Sequence, residues 1–359
     1  MTDFLTGLAL NERFYKEIVA PLLEEHFPDL KHSAALIGWG SDELGYDDLQ
    51  STDHNWGARF QLFLGERDYE QYHHDIQTIL NQHLQSEFHG YPTTFPIVGN
   101  EDQRDARDSL THNIEVRTIR QYFSRYLGCD PYGELKTADW LTFAEHKLLA
   151  VTSGRVFHDG LAELEAIRQK FRYYPRDVWL YMLAAQWEKL SEQQAFVGRC
   201  GYAGDELGSN LITARQVKNL MKLCFLIERR YAPYSKWFGT AFWQLDCAKE
   251  LHPVLMQVLQ ALEWKSRQEF LAQAYEIVAR MHNALGITIP LREKASPYFE
   301  RPYLVMGDDR YAAELRKSIA SEEIRNVPYQ LGGVNQLIDS DDTLNNLNLC
   351  KKLKELYES

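Results

Sequence analysis

Apolar positions change period repeatedly in the first half of the chain. Phe14, Tyr15, Ile18, Val19, Leu22 and Leu23 recur at helical spacing and Pro28 follows, which predicts an amphipathic helix over residues 11–27. The short apolar run Ala34 to Ile37 then meets Gly38-Trp39-Gly40-Ser41, the pattern of a strand ending in a tight turn. Phe60 to Leu64 reads as a second strand and Tyr69 to Gln85 as a polar-faced helix. Ile114 to Ile119, with Ile114 and Val116 on one face, is the third predicted strand. Gly154 to Asp159 supplies a fourth, followed by a helix from Leu161 to Phe171.

From Pro175 onward the period is helical. The predicted helices are Asp177 to Leu190, Thr213 to Tyr231, Lys236 to Glu250, Val254 to Trp264 and Arg267 to Leu285. Pro290, Pro297, Pro302 and Pro328 punctuate the remainder, which holds one helical stretch near Tyr311 to Ile324 and is expected to wrap over the preceding parts. The pattern thus describes an α+β chain: a mixed sheet with helices over residues 1–170, an all-α helical bundle over 171–290, and a C-terminal wrapping segment over 291–359.

Composition narrows the functional classes. At 359 residues with 45% hydrophobic and 25% charged residues, the chain is long enough for about two domains, each with its own core. The formal charge of -12 is unevenly placed: residues 1–160 hold 13 Lys/Arg against 26 Asp/Glu, whereas 161–359 hold 26 against 25. That surplus disfavours a nucleic-acid partner, which needs clustered basic residues, and suits metal ions or cationic substrates. The cysteines Cys129, Cys200, Cys224, Cys247 and Cys350 contain no C-x-x-C, which argues against a zinc ribbon or disulfide framework. No run approaches the roughly 18 apolar residues of a membrane span, and MTDFLTGLAL lacks the basic start of a signal peptide. These features lead to the expectation of a cytoplasmic protein without a membrane partner.

The chemistry-bearing stretch is Gly40-Ser41, then Asp53-His54-Asn55 entering an apolar strand, with Glu115 on a later strand. A Gly-Ser turn lets backbone and hydroxyl approach phosphate oxygens, because glycine offers no side-chain obstruction. Acidic residues at alternating strand positions project to one face, where they can hold divalent metals bridging a triphosphate. Asp47 and Asp48 lie well before the strand and read as loop residues; Asp105 and Asp108 are alternatives to Glu115.

At these residues the sequence resembles the polymerase-beta-like nucleotidyltransferase superfamily: helix, strand, Gly-Ser, Asp-x-Asp on the next strand, and a third carboxylate later. More closely, it is similar to an uncharacterised bacterial family, domain-of-unknown-function family 4037. The resemblance is carried by Gly40-Ser41-Asp42-Glu43-Leu44-Gly45, Ser51-Thr52-Asp53-His54-Asn55-Trp56-Gly57, Val156-Phe157-His158-Asp159-Gly160, Asp177-Val178-Trp179-Leu180 and Tyr231-Ala232-Pro233-Tyr234-Ser235-Lys236-Trp237-Phe238. It implies a nucleotidyltransferase-like N-terminal domain joined to a helical bundle. It also implies Mg²⁺ or Mn²⁺ as cofactor, an NTP as substrate and an acceptor hydroxyl on a small molecule. Gly40 and Ser41 would hold phosphate, Asp53 and Glu115 would be metal-binding catalytic carboxylates, and Asn55 would stand where a second carboxylate is usual.

Three further residues are candidates. Glu228 shares a helix face with Val217, Leu220, Met221, Cys224 and Tyr231; a carboxylate on such a stripe is either a general base with raised pKa or half of a buried ion pair. Lys236, at a helix start, is expected to meet triphosphate oxygens or to be a surface lysine. Arg59 is expected to neutralise phosphate or to pair with Asp53. The phosphate-loop, H-E-x-x-H and G-x-S-x-G motifs are absent from the sequence. Replacing the second carboxylate by Asn55 also leaves room for a nucleotide-binding regulatory protein with weak or no turnover.

Overall fold

The computed structural model describes residues 4–53, 56–96, 110–307, 310–328 and 331–358. The fold is α+β. It divides into two compact units, one made of residues 1–134 and 147–172 and the other of 135–146 and 173–359.

The first unit is built on a five-stranded mixed sheet. Helix α1 (Gly7–Phe14) passes through a π-helical turn, Tyr15–Val19, into a further helix, Ala20–His26. It thus begins four residues before the apolar periodicity at position 11, where Thr6 caps it by accepting from Ala9 N. The strands are β1 (His32–Leu36), β2 (Arg59–Leu64), β3 (Thr94–Pro96), β4 (Leu110–Thr118) and β5 (Arg155–Asp159), in the order β3-β4-β2-β1-β5. β1 is antiparallel to both β2 and β5, whereas β2 runs parallel to β4.

Alternation explains the two faces of β2. Phe60, Leu62 and Leu64 pack with Phe14, Val19, Ile76 and Leu80, the last two on helix α2 (Glu66–His83). Phe63, on the other face, meets Tyr122 edge-on at 5.5 Å, on helix α3 (Ile119–Tyr126). The strand predicted to reach Ile119 stops at Thr118 because that residue caps α3. Its hydroxyl accepts from Gln121 N, and the Gln121 side chain accepts from Thr118 N.

The second unit is mainly helical: α4 (Arg176–Ser191), α5 (Glu206–Ile227), α6 (Ser235–Phe242), α7 (Ala248–Gln260) and α8 (Trp264–Ala284), then the hairpin Ser296–Tyr298 with Arg301–Val305, and α9 (Arg310–Lys317). Several boundaries differ from the sequence pattern. α5 starts at Glu206 instead of Thr213 because Asp205 caps it, accepting from Gly208 N. Its first turns expose Leu207 (73%) and Leu211 (64%), so the apolar stripe alone does not reveal them. The stretch Lys236 to Glu250 is broken between Phe242 and Ala248, and Trp264 begins α8. Pro253 is accommodated inside α7 within its first turns. Among the described residues no helix is long and apolar enough to cross a membrane.

Candidate functional site

The turn after β1 is fixed by groups from three elements of the first unit. Ile37 N donates to Gln61 Oε1 on β2 at 3.0 Å, and Tyr122 OH on α3 donates to Ile37 O at 3.0 Å. The Ser153 hydroxyl donates to Gly38 O at 2.9 Å. Burial pushes the Tyr122 phenol well above its ordinary pKa, so it stays a neutral donor.

Gly40 is extended, with φ -66 and ψ 168, so its lack of a side chain serves space rather than conformation. A Cβ there would lie 2.3 Å from Glu43 Oε2 and 2.8 Å from Asp42 Oδ1. At Gly38 a Cβ would fall 2.6 Å from Glu43 Oε1. The two glycines therefore close over carboxylates of the short helical turn Ser41–Leu44 that follows them.

Asp42 and Glu43 are both buried, and Arg59, the first residue of β2, answers them. Arg59 Nη1 donates to Glu43 Oε1 at 2.8 Å, and Nη2 donates to Asp42 Oδ1 at 2.8 Å and Oδ2 at 3.0 Å. Two carboxylates face one guanidinium. Burial, reinforced by Glu43 alongside, pushes Asp42 up to about 8. Burial also acts to raise Glu43, but the charge of Arg59 and the hydrogen bonds to both neighbours outweigh it and hold that carboxylate down to about 2. Glu43 Oε2 is buried and has no donor among the described residues. A proton held on Asp42 would supply one. The cluster then carries one negative and one positive charge, which makes its burial affordable.

The approach to β2 is braced independently. Asp47 Oδ2 accepts from Gly7 N at 2.7 Å and from Trp56 Nε1 at 3.1 Å. The fully buried Asn11 side chain donates to Gly57 O at 3.0 Å and accepts from Arg59 N at 2.6 Å. Asn11, Asp42 and Glu43 are polar core residues that hydropathy does not single out; the only trace of the last two is their position inside the Gly40-Ser41 motif.

Of the residues singled out in the sequence, the structure brings Gly40, Ser41 and Arg59 together. Arg59 is engaged by Asp42 and Glu43. Asp53 ends the 3-10 turn Leu49–Asp53, ahead of β2, and its side chain, together with His54 and Asn55, lies outside the described residues. Asp105 and Asp108 do as well. Glu115 sits on β4 opposite Gln61 and accepts from Arg117 Nε at 3.0 Å, with Arg125 Nη1 at 3.8 Å. Among the described residues no three His, Cys, Asp or Glu form a metal-holding cluster.

Glu228 and Lys236 belong to the second unit. Glu228 follows the last turn of α5, and its two oxygens accept from Asp246 N at 2.8 Å and Cys247 N at 2.9 Å, the backbone leading into α7. Lys236 is exposed in the first turn of α6, its Nζ 4.8 Å from the centre of the Trp237 ring. Trp179, Tyr181 and Trp187 are core residues whose polar atoms find partners in Leu226 O, Pro328 O and His282 Nδ1. Trp243 is 58% exposed.

A family model described as Domain of unknown function (DUF4037) matches residues 140–238. The resemblance to that family seen in the sequence holds over this span, which contains the Val156–Gly160, Asp177–Leu180 and Tyr231–Phe238 motifs and leaves out Gly40–Gly45 and Ser51–Gly57. No curated protein matches the chain. Among solved structures, a nucleotidyltransferase-like protein from Exiguobacterium sibiricum 255-15 is similar with a TM-score of 0.31 at 10% identity, over 86% of this chain and 89% of that one.

Proposed function

We propose that the protein is a metal-dependent nucleotidyltransferase that moves a nucleoside monophosphate from an NTP to an acceptor hydroxyl on a small molecule. The observation that carries this reading is local: the Gly40-Ser41 turn leaves the end of β1 beside the start of β2, and Glu115 stands on the parallel strand next to β2. In this reading Gly40 and Ser41 receive the triphosphate, Ser41 through a hydroxyl free of described hydrogen-bond partners. Arg59 acts at one remove, since its guanidinium holds the turn through Asp42 and Glu43.

Asp53, Asn55 and Glu115 would hold the ion. All three offer oxygen donors, the set Mg²⁺ or Mn²⁺ prefers. When bound, the ion supplies positive charge to the phosphate oxygens. Glu115 has to exchange its contacts with Arg117 and Arg125 for that role. That requirement, together with the neutral Asn55, favours as second reading a nucleotide-binding regulatory protein with weak turnover.

Incubating the full chain with each labelled NTP, Mg²⁺ or Mn²⁺ and a metabolite extract is expected to release pyrophosphate and label a small product, with turnover lost in Asp53→Asn. Nucleotide-dependent thermal stabilisation without pyrophosphate release, unchanged in Asn55→Asp, supports the regulatory reading. Failure to bind any NTP in the presence of metal rules out both.

A further inference from the structure

Within the second unit a cavity of about 210 Å³ has room for about seven waters. Glu145 and Lys222 both line it. Glu145 is only 7% exposed, and its Oε2 accepts from Ala232 N at 3.1 Å. Lys222 Nζ donates to Asn335 O at 2.8 Å, and Asn335 Oδ1 accepts from Glu145 N at 2.9 Å, so one residue of the C-terminal segment steadies both walls. The other charged lining groups are answered locally. Lys218 pairs with Asp339, and Asp341 Oδ2 accepts from Ser235 N at 3.3 Å.

Two opposite charges remain. No ion pair joins Glu145 or Lys222 to each other or to any described residue. Burial pushes the Glu145 carboxyl up and the Lys222 ammonium down, and the attraction between the two offsets this only in part. A buried ion without a partner costs several kcal/mol. Phe238, Ile338 and Leu344 supply the apolar part of the wall, alongside the polar His146, Tyr234 and Ser340.

We infer that this cavity binds a free α-amino acid with an apolar side chain, its ammonium against Glu145, its carboxylate against Lys222, and its side chain against Phe238, Ile338 and Leu344. A zwitterion answers both charges at once; an amine or an acid alone answers one, and a polyol neither. The volume is below the 300–1,000 Å³ of drug-sized sites, which suits a small zwitterion better than a nucleotide. The inference is independent of the nucleotidyltransferase reading, because every group it uses lies in the second unit.

The test is calorimetry and thermal shift on the full chain with L-leucine, L-valine and L-phenylalanine, compared with leucinamide and 4-methylpentanoate, which each carry one of the two charges. At least one amino acid is expected to bind saturably and raise the melting temperature, with both single-charge analogues at least about tenfold weaker. Glu145→Gln and Lys222→Met should each weaken binding roughly a hundredfold. Ile338→Trp, which fills the cavity from a partly exposed position, should abolish binding while circular dichroism stays native, and it serves if the charge variants unfold. No binding of any of the three amino acids at about 10 mM, equal affinity for either analogue, or undiminished affinity in Ile338→Trp overturns the inference.

Discussion

Asp42 and Glu43 are adjacent in sequence, yet burial with one arginine drives their protons in opposite directions. Asp42, raised in the folded state from 3.8 to about 8, adds stability that is fully present below the unfolded value and is lost as pH rises through the folded one. Glu43, lowered from 4.5 to about 2, adds stability present above the unfolded value and lost as pH falls toward the folded one. Between about pH 5 and 8 the change comes mainly from Asp42. Asp42→Asn, which cannot ionise, is therefore expected to gain on the parent as pH rises from 5 to 8, and melting curves of both proteins across that range check it. Parallel pH profiles for the two proteins would show that Asp42 is ionised throughout. At this scale the glycines of the Gly38-Trp39-Gly40-Ser41 turn are legible, because a turn after an apolar run needs little context. Their reason is not, since the carboxylates beneath them become buried only once β2 delivers Arg59.

Helices betray their buried stripe better than their ends, and Glu228 illustrates the cost. It continues the apolar face of α5 in the sequence, which suggests a carboxylate inside a helix and hence a base or a buried ion pair. The helix ends one residue earlier, and Glu228 turns instead to Asp246 N and Cys247 N, satisfying amides ahead of α7. These are the amides that interrupt the run from Lys236 to Glu250, so the same residue accounts for the break that periodicity missed. Glu228→Ala should destabilise the protein by about 1–2 kcal/mol, the scale of losing a helix-capping acceptor. Thermal unfolding measures that loss. Native stability combined with abolished turnover would instead return Glu228 to the role of general base.

The long-range closure of the sheet is what local patterns cannot contain. β1 carries little alternation in His-Ser-Ala-Ala-Leu, and it is an inner strand because β5 arrives on its far side from a segment beginning at Lys147. Ser33, fully buried on β1, donates to Asp159 Oδ1 on β5 at 2.7 Å, a pairing across 126 positions that no window of sequence displays. The entry to β5 depends on Gly154. Its φ of +71 is left-handed, its N–H donates to Glu43 O at 3.0 Å, and a Cβ would lie 2.0 Å from Leu36 O. That oxygen is backbone at the end of β1 and cannot swing aside. Gly154→Ala therefore combines left-handed strain of about 1–2 kcal/mol with displacement of either β1 or β5. The displacement also loosens the Ser41–Leu44 turn through Glu43. The expected result is a melting temperature lowered by several degrees, by more than the strain alone, with faster amide exchange in β1 and β5 than in α2. An unchanged melting temperature would mean that the turn at residue 154 relaxes without moving β1, and that β5 is not what fixes the Gly40-Ser41 turn.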